Sequence, residues 1–120
     1  MKQVMCVVSK TPYESAHSLE LLEAAMVGAV FDFQVSLLFR ADGIWSLVHG
    51  QTGQPIGKRT LSNVLLAMPA YEVERIYACA EAVRSAGLDL SHCELDVVLV
   101  EPNEQAHLLA SQHAVIGAAS

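Results

Sequence analysis

Charge is scarce in this sequence. Only 17% of its 120 residues are Asp, Glu, Lys or Arg, against about 25% in an average soluble domain. Basic side chains are scarcer still, 7 against 13 acidic ones, which leaves a net charge of −6. That sign excludes a stand-alone nucleic-acid binder that grips phosphates with a basic patch. No apolar run reaches the ~18 residues that a membrane span needs. The short mixed run from Gln3 to Ser9, behind a single Lys, does not read as a secretory signal. Internal repeats, low-complexity tracts and linker-like stretches are absent from the sequence. Cysteine is limited to Cys6, Cys79 and Cys93, an odd number without metal-ligand spacing. Such thiols suit a reducing, cytoplasmic setting, where they are buried or chemically active rather than paired.

Apolar residues are abundant instead. They make up 52% of the chain, and counting Gly in place of Tyr raises the share to about 56%, against a typical 45–50%. A disordered chain is excluded. Two readings of the excess stand side by side. Part of the surface is covered by a partner chain, or the core is unusually rich in Ala and Val. The length supports one domain over residues 1–120 that can bury a core without disulfides or metals.

Strand and helix patterns alternate along the chain. Val4-Met5-Cys6-Val7-Val8 and Val35-Ser36-Leu37-Leu38-Phe39 read as buried parallel strands, apolar on both faces. A helix is expected from about Ser15 to Val30, with Leu19, Leu22, Met26, Ala29 and Val30 at helical spacing. Ala24, Ala25 and Gly28 would permit close packing on a second face. Asp42 fits a helix N-cap, and Leu61, Val64, Leu65 and Met68 make another helical stripe that Pro69 ends. Val73 to Ala78 reads as the third strand, followed by a helix from about Cys79 to Ala86 with Gly87 as a left-handed C-cap. Leu95 to Val100 is the fourth strand, Pro102 to about Gln112 a helix and Ala114-Val115-Ile116 a short last strand. The expected fold is a three-layer α/β sandwich with a mostly parallel, five-stranded, flavodoxin-like sheet. Chemistry in such sheets gathers beyond the carboxyl ends of the strands, here residues 9–14, 40–43, 78–80 and 101–103.

Cys79 is the leading chemical candidate. It sits where the third strand ends and a helix begins, and unpaired amides at a helix start favour a thiolate. A thiolate there could hold a transferable sulfur as a persulfide; the bland alternative is an inert small residue closing a strand. Cys6 lies mid-strand and reads as core, and Cys93 as an incidental thiol. The loop Gly50 to Arg59 imitates a phosphate loop, but the spacing from Gly53 to Gly57-Lys58 is one residue short and Arg59 replaces the magnesium-binding hydroxyl. His17, His49, His92, His107 and His113 are scattered, so no metal site is expected. Asp32 reads as a turn residue, and Trp45 as core or interface.

The order of these pieces carries a resemblance. Ser9 with Pro12-Tyr13 follows the first strand, and Phe31-Asp32 the first helix. Leu38-Phe39 leads to Ala41-Asp42-Gly43-Ile44, then Gly50-Gln51 and Tyr71, and Ala78-Cys79-Ala80 with Arg84, Gly87 and Leu88 completes the pattern. In this the chain resembles the TusC/DsrF subunits of the DsrE/F-like sulfur-relay family, the family of the TusBCD and DsrEFH complexes. The resemblance implies a parallel α/β sheet and a heterohexamer, a dimer of heterotrimers, with TusB-like and TusD-like subunits. It implies transient contact with TusA-like and TusE-like carriers, and passage of persulfide sulfur towards 2-thiolation of wobble uridine in tRNA. It implies a sulfur-carrier subunit rather than a stand-alone enzyme, with no cofactor, no membrane and no direct nucleic-acid contact. The principal sulfur-carrying Cys of these assemblies lies on the TusD/DsrE-type subunit, after the third strand, and Cys79 falls at the comparable place. Two alternatives stay open within the family: a DsrF-like subunit in sulfur oxidation, and a purely structural subunit. A small-molecule or nucleotide binder on a flavodoxin-like sheet rests on fold analogy alone.

Overall fold

The computed structural model describes residues 2–9, 17–47, 66–73, 75–90 and 96–117. Its frame is a five-stranded sheet: β1 (Gln3–Val8), β2 (Gln34–Phe39), β3 (Arg75–Cys79), β4 (Val97–Val100) and β5 (Ala114–Ile116). The spatial order is β4-β3-β2-β1-β5, and every neighbouring pair is parallel. The chain steps across the sheet from β1 to β4 and then returns to the far side of β1.

Among the described residues, α-helices cover the two faces: α1 (His17–Val30), α2 (Ala80–Ala86) and α3 (Pro102–Ala110). Strand alternation sorts the core. Cys6, Val8, Val35, Leu37, Phe39, Ile76 and Ala78 meet Leu21, Leu22 and Ala25 of α1 and Val83 of α2 on one face. Met5, Val7, Leu38 and Val100 meet Leu108 and Leu109 of α3 on the other. This is the three-layer parallel sandwich that the alternating pattern implies. β1 and β2 read as continuous apolar runs because both of their faces are covered.

The local structure differs from the expected pattern at several points. Val30 is not in the helical stripe but 66% exposed, and Ala25 takes a core place instead. A step of about 100° per residue carries Val30 off the face of Leu22, Met26 and Ala29. The third strand starts at Arg75 rather than Val73. A 3-10 helix (Met68–Tyr71) comes first, with Glu72 left-handed at φ 66°, and it uses the Val73 amide to cap the Met68 carbonyl. Pro69 lies inside this 3-10 helix, directly after the α-helical Leu66 and Ala67, and residues 61–65 lie outside the described residues. Asp42 lies within the first turn of a 3-10 helix (Ala41–Leu47) rather than before it.

α3 ends two residues early, at Ala110. The Ser111 amide donates to the His107 and Leu108 carbonyls, the Gln112 backbone amide to the Leu109 carbonyl, and the Ser111 hydroxyl and Gln112 Nε2 to the Leu108 carbonyl as well. Backbone amides and these two side chains thus satisfy the last carbonyls in place of another helical turn. Gly87 adopts the expected left-handed C-cap at φ 64°.

Candidate functional site at the carboxyl end of the third strand

Cys79 is the last residue of β3 and the N-cap of α2, with φ −66° and ψ 114°. It pairs in register with Val100, the last residue of β4. The two strands therefore end level, and the chain leaves each of them for a helix. The Cys79 side chain makes no capping hydrogen bond and is half-buried. It is a free thiol at a strand end, spared from core packing and not committed to a cap.

One ion pair spans the same edge. Arg84, in the last turn of α2, donates from Nη1 to Glu101 Oε2 at 2.8 Å and from Nη2 to Glu101 Oε1 at 2.9 Å. Glu101 is the N-cap of α3, and its capping box with Glu104 includes a 3.0 Å bond from the Glu101 amide to Glu104 Oε1. The pair thus ties α2 to the start of α3 across the ends of β3 and β4. Arg84, hydrogen-bonded to it, holds the Glu101 carboxyl below the usual carboxylate range. In turn Glu101, hydrogen-bonded to the guanidinium, raises it, and Cys79 lies within electrostatic range of it. Both partners are exposed, so the pair orients more than it stabilises.

The other sequence candidates sit elsewhere. Cys6 is 1% exposed in the middle of the sheet, and burial pushes its thiol up to about 11. An unfolded thiol at 9.0 ionises first, so stability falls as pH rises from 9.0 to about 11. The loss amounts to about 3 kcal/mol across that window at 1.36 kcal/mol per unit. Urea midpoints taken through this range should fall steeply in the wild type, and Cys6→Ala should flatten the slope. An unchanged slope would mean that the thiol is not held neutral.

Among the described residues, Trp45 packs against the core as expected. His113 Nδ1 accepts from the Gln3 amide at 2.9 Å, so His113 serves the junction of β1 and β5. No three His, Cys, Asp or Glu side chains converge among the described residues, and no helix there is long and apolar enough to cross a membrane. Cys93, His49, His92, the 50–59 loop and residues 10–14 lie outside the described residues. The Arg84–Glu101 pair is not legible in the sequence. The one available signal was the order Cys79, Arg84, Glu101 around two strand ends, which points to nothing until β3 and β4 are known to be neighbours.

Comparison with known proteins agrees with this architecture. The chain is 35% identical over 88 residues to the intracellular sulfur oxidation protein DsrF of Allochromatium vinosum, covering 73% of this chain and 65% of that protein. It is 29% identical over 117 residues to the TusC homolog of Pseudomonas aeruginosa, covering 97% and 98%. It is 29% identical over 89 residues to TusC of Escherichia fergusonii, covering 74% and 75%. The solved YchN protein of E. coli shares the fold with a TM-score of 0.75 at 19% identity, covering 97% of this chain and 98% of that one. The sequence model of the DsrE/DsrF-like family matches residues 2–117, and the chain belongs to that family.

Proposed function

We propose that this chain is a TusC/DsrF-type subunit of a sulfur-relay complex and that Cys79 accepts sulfur as a persulfide. The likeness to TusC and DsrF proteins supports the first half. The observation that carries the second is a half-buried, uncapped thiol at the level carboxyl ends of β3 and β4. Parallel α/β sheets do their chemistry at that edge.

The step is a sulfur exchange without net redox. The Cys79 thiolate attacks the outer sulfur of a donor persulfide. The new bond is Cys79 S–S, the donor's S–S bond breaks, and the donor leaves as a thiolate that takes up a proton. A second carrier's thiolate then repeats the exchange on the Cys79 persulfide. The donor is read as a TusA-like carrier and the acceptor as a TusE-like one. TusB-like and TusD-like subunits complete a heterohexamer in the cytoplasm, and the sulfur goes to the 2-thiolation of wobble uridine in tRNA. The 35% identity to DsrF favours a second reading, the same exchange serving sulfur oxidation in a DsrEFH-like complex.

Intact-mass analysis of the assembled complex after incubation with a persulfide donor tests the proposal. One sulfur atom should be added at Cys79, and Cys79→Ser should lose it while still assembling. Sulfur found only on a partner subunit, with Cys79 unmodified, would make this chain a structural subunit.

A further inference from the structure

A polar hollow lies at the amino ends of the central strands, under the carboxyl end of α3. Strand alternation puts Gln34, Ser36 and Leu38 of β2 on the α3 face, and register sets Ser36 beside Arg75 and Leu38 beside Tyr77. Leu38 and Tyr77 belong to the apolar layer under α3, but one step towards the strand starts the side chains turn polar. A cavity of about 70 Å³ lies there, lined by Gln34, Ser36, Arg75, Tyr77 and, from the end of α3, Ser111 and Gln112. It has room for about two waters or one small oxyanion.

Three groups around it lack partners. Ser36 is 4% exposed, and its hydroxyl makes no hydrogen bond among the described residues. Gln112 Oε1 is buried and accepts nothing. The Gln112 amide cannot turn to relieve this, because its Nε2 donates to the Leu108 carbonyl at 3.1 Å and to the Ser111 hydroxyl at 3.3 Å. Arg75 faces no carboxylate among the described residues. The Gln34 amide, its oxygen towards the guanidinium, accepts from Nη1 at 3.0 Å and Nη2 at 2.9 Å. That bond aims the Arg75 side chain and leaves its other N–H donors for a ligand. Buried polar groups are ordinarily paired. An orphaned hydroxyl, an orphaned amide oxygen and an uncompensated guanidinium around one hollow call for a ligand that brings both acceptors and a donor.

We propose that this hollow binds a small oxyanion that keeps a proton, of the hydrogenphosphate or hydrogencarbonate class. Arg75 supplies the charge, and its planar fork suits two oxygens of such an ion. The Ser36 hydroxyl donates to another oxygen. The ion's own O–H donates to Gln112 Oε1, which can only accept. The carboxyl end of α3 carries partial negative charge, which disfavours an ion with no proton to offer. Arg75 opens β3 and Cys79 closes it. The site therefore lies at the opposite end of that strand from the thiol, and it does not rest on the persulfide reading.

Titration of the full chain with inorganic phosphate at constant ionic strength, followed by the Ser36 and Gln112 signals in NMR spectra, tests this. Both signals should shift together and saturate in the millimolar range. Sulfate has the shape of phosphate but no proton near neutral pH. It should bind at least about tenfold more weakly, because it meets the Gln112 oxygen without a donor. Arg75→Gln should weaken phosphate binding by about tenfold or more, the loss of a charge-assisted contact, and Ser36→Ala by about fivefold. Arg75→Lys keeps the charge without the fork and should recover only part of the loss. Melting curves check that each variant folds. A parallel titration with hydrogencarbonate distinguishes the planar ion from the tetrahedral one as the better occupant. No saturable shift with either ion, equal binding of sulfate, or phosphate binding indifferent to Arg75→Gln would each overturn the proposal and leave the hollow to ordered water.

Discussion

Gly43→Ala is expected to destabilise the protein by about 3 kcal/mol or more, the upper end of what overpacking produces. The Ala41–Leu47 3-10 helix crosses the carboxyl end of β1 at Gly43. A Cβ at this position would overlap the Val8 carbonyl oxygen, with the Val8 carbonyl carbon 2.5 Å away and the Ser9 nitrogen 3.1 Å away. These are backbone atoms of a strand flanked on both sides, and they cannot swing aside as a long side chain can. The Val8 carbonyl also accepts the Arg40 amide at 3.0 Å, and the Gly43 amide donates to the Arg40 carbonyl at 2.9 Å. Relief therefore means lifting the 3-10 helix off the strand, which loosens Ile44 and Leu47, now 2% and 3% exposed. Gly87→Ala is the control: its φ is +64°, but nothing lies within 4 Å of the added carbon. Only left-handed strain of about 1 kcal/mol applies there. Urea unfolding should show a much lower midpoint for Gly43→Ala than for Gly87→Ala, at similar slope. Equal midpoints would mean that the helix does not press on β1.

The same crossing shows which parts of the molecule could be read from the sequence. β1, β2 and β5 were legible because a strand covered on both faces, or a short β-branched run, announces itself locally. The position of Cys79 was legible because a strand end followed by helix residues needs no long-range information. The start of β3 was not. Val73 is as apolar as a strand residue, but its amide is taken by Met68 once Glu72 turns left-handed. A non-glycine residue at positive φ gives no sign in composition. Contacts between distant segments were equally hidden. Arg84 meets Glu101 only because β4 lies beside β3, and Ser36 stands beside Arg75 only because β3 pairs with β2. Ala24, Ala25 and Gly28 suggest a close-packing face; Ala25 packs into the core and Gly28 lies close against Val35, and all three also line an open groove.

Cys79 should react with iodoacetamide at least about a thousandfold faster than Cys6 at pH 8, measured in a Cys93→Ser background. Two barriers protect Cys6. Its thiol is pushed up to about 11, so roughly one molecule in a thousand carries the reactive thiolate at pH 8. It is also 1% exposed in β1, between β2 and β5, so the reagent reaches it only when the sheet opens. Opening a central strand approaches the cost of global unfolding, about 5–15 kcal/mol. Both come from the same burial, and a thiol freed by opening is no longer held neutral, so they do not multiply; an opening cost of about 5 kcal/mol by itself slows the reaction by more than about a thousandfold, the lower bound. Cys79 lies half-buried where β3 ends, and reagent can meet it with the sheet intact. A mass time course with peptide mapping reads both rates in one sample, and in urea the two thiols should converge. If Cys79 proves as slow as Cys6 under native conditions, no carrier protein could present a persulfide to it, since a protein donor is far larger than iodoacetamide. If it is fast, the thiol beside β4 and the Arg84–Glu101 pair is open to solvent with the fold intact, the first condition for sulfur exchange at Cys79.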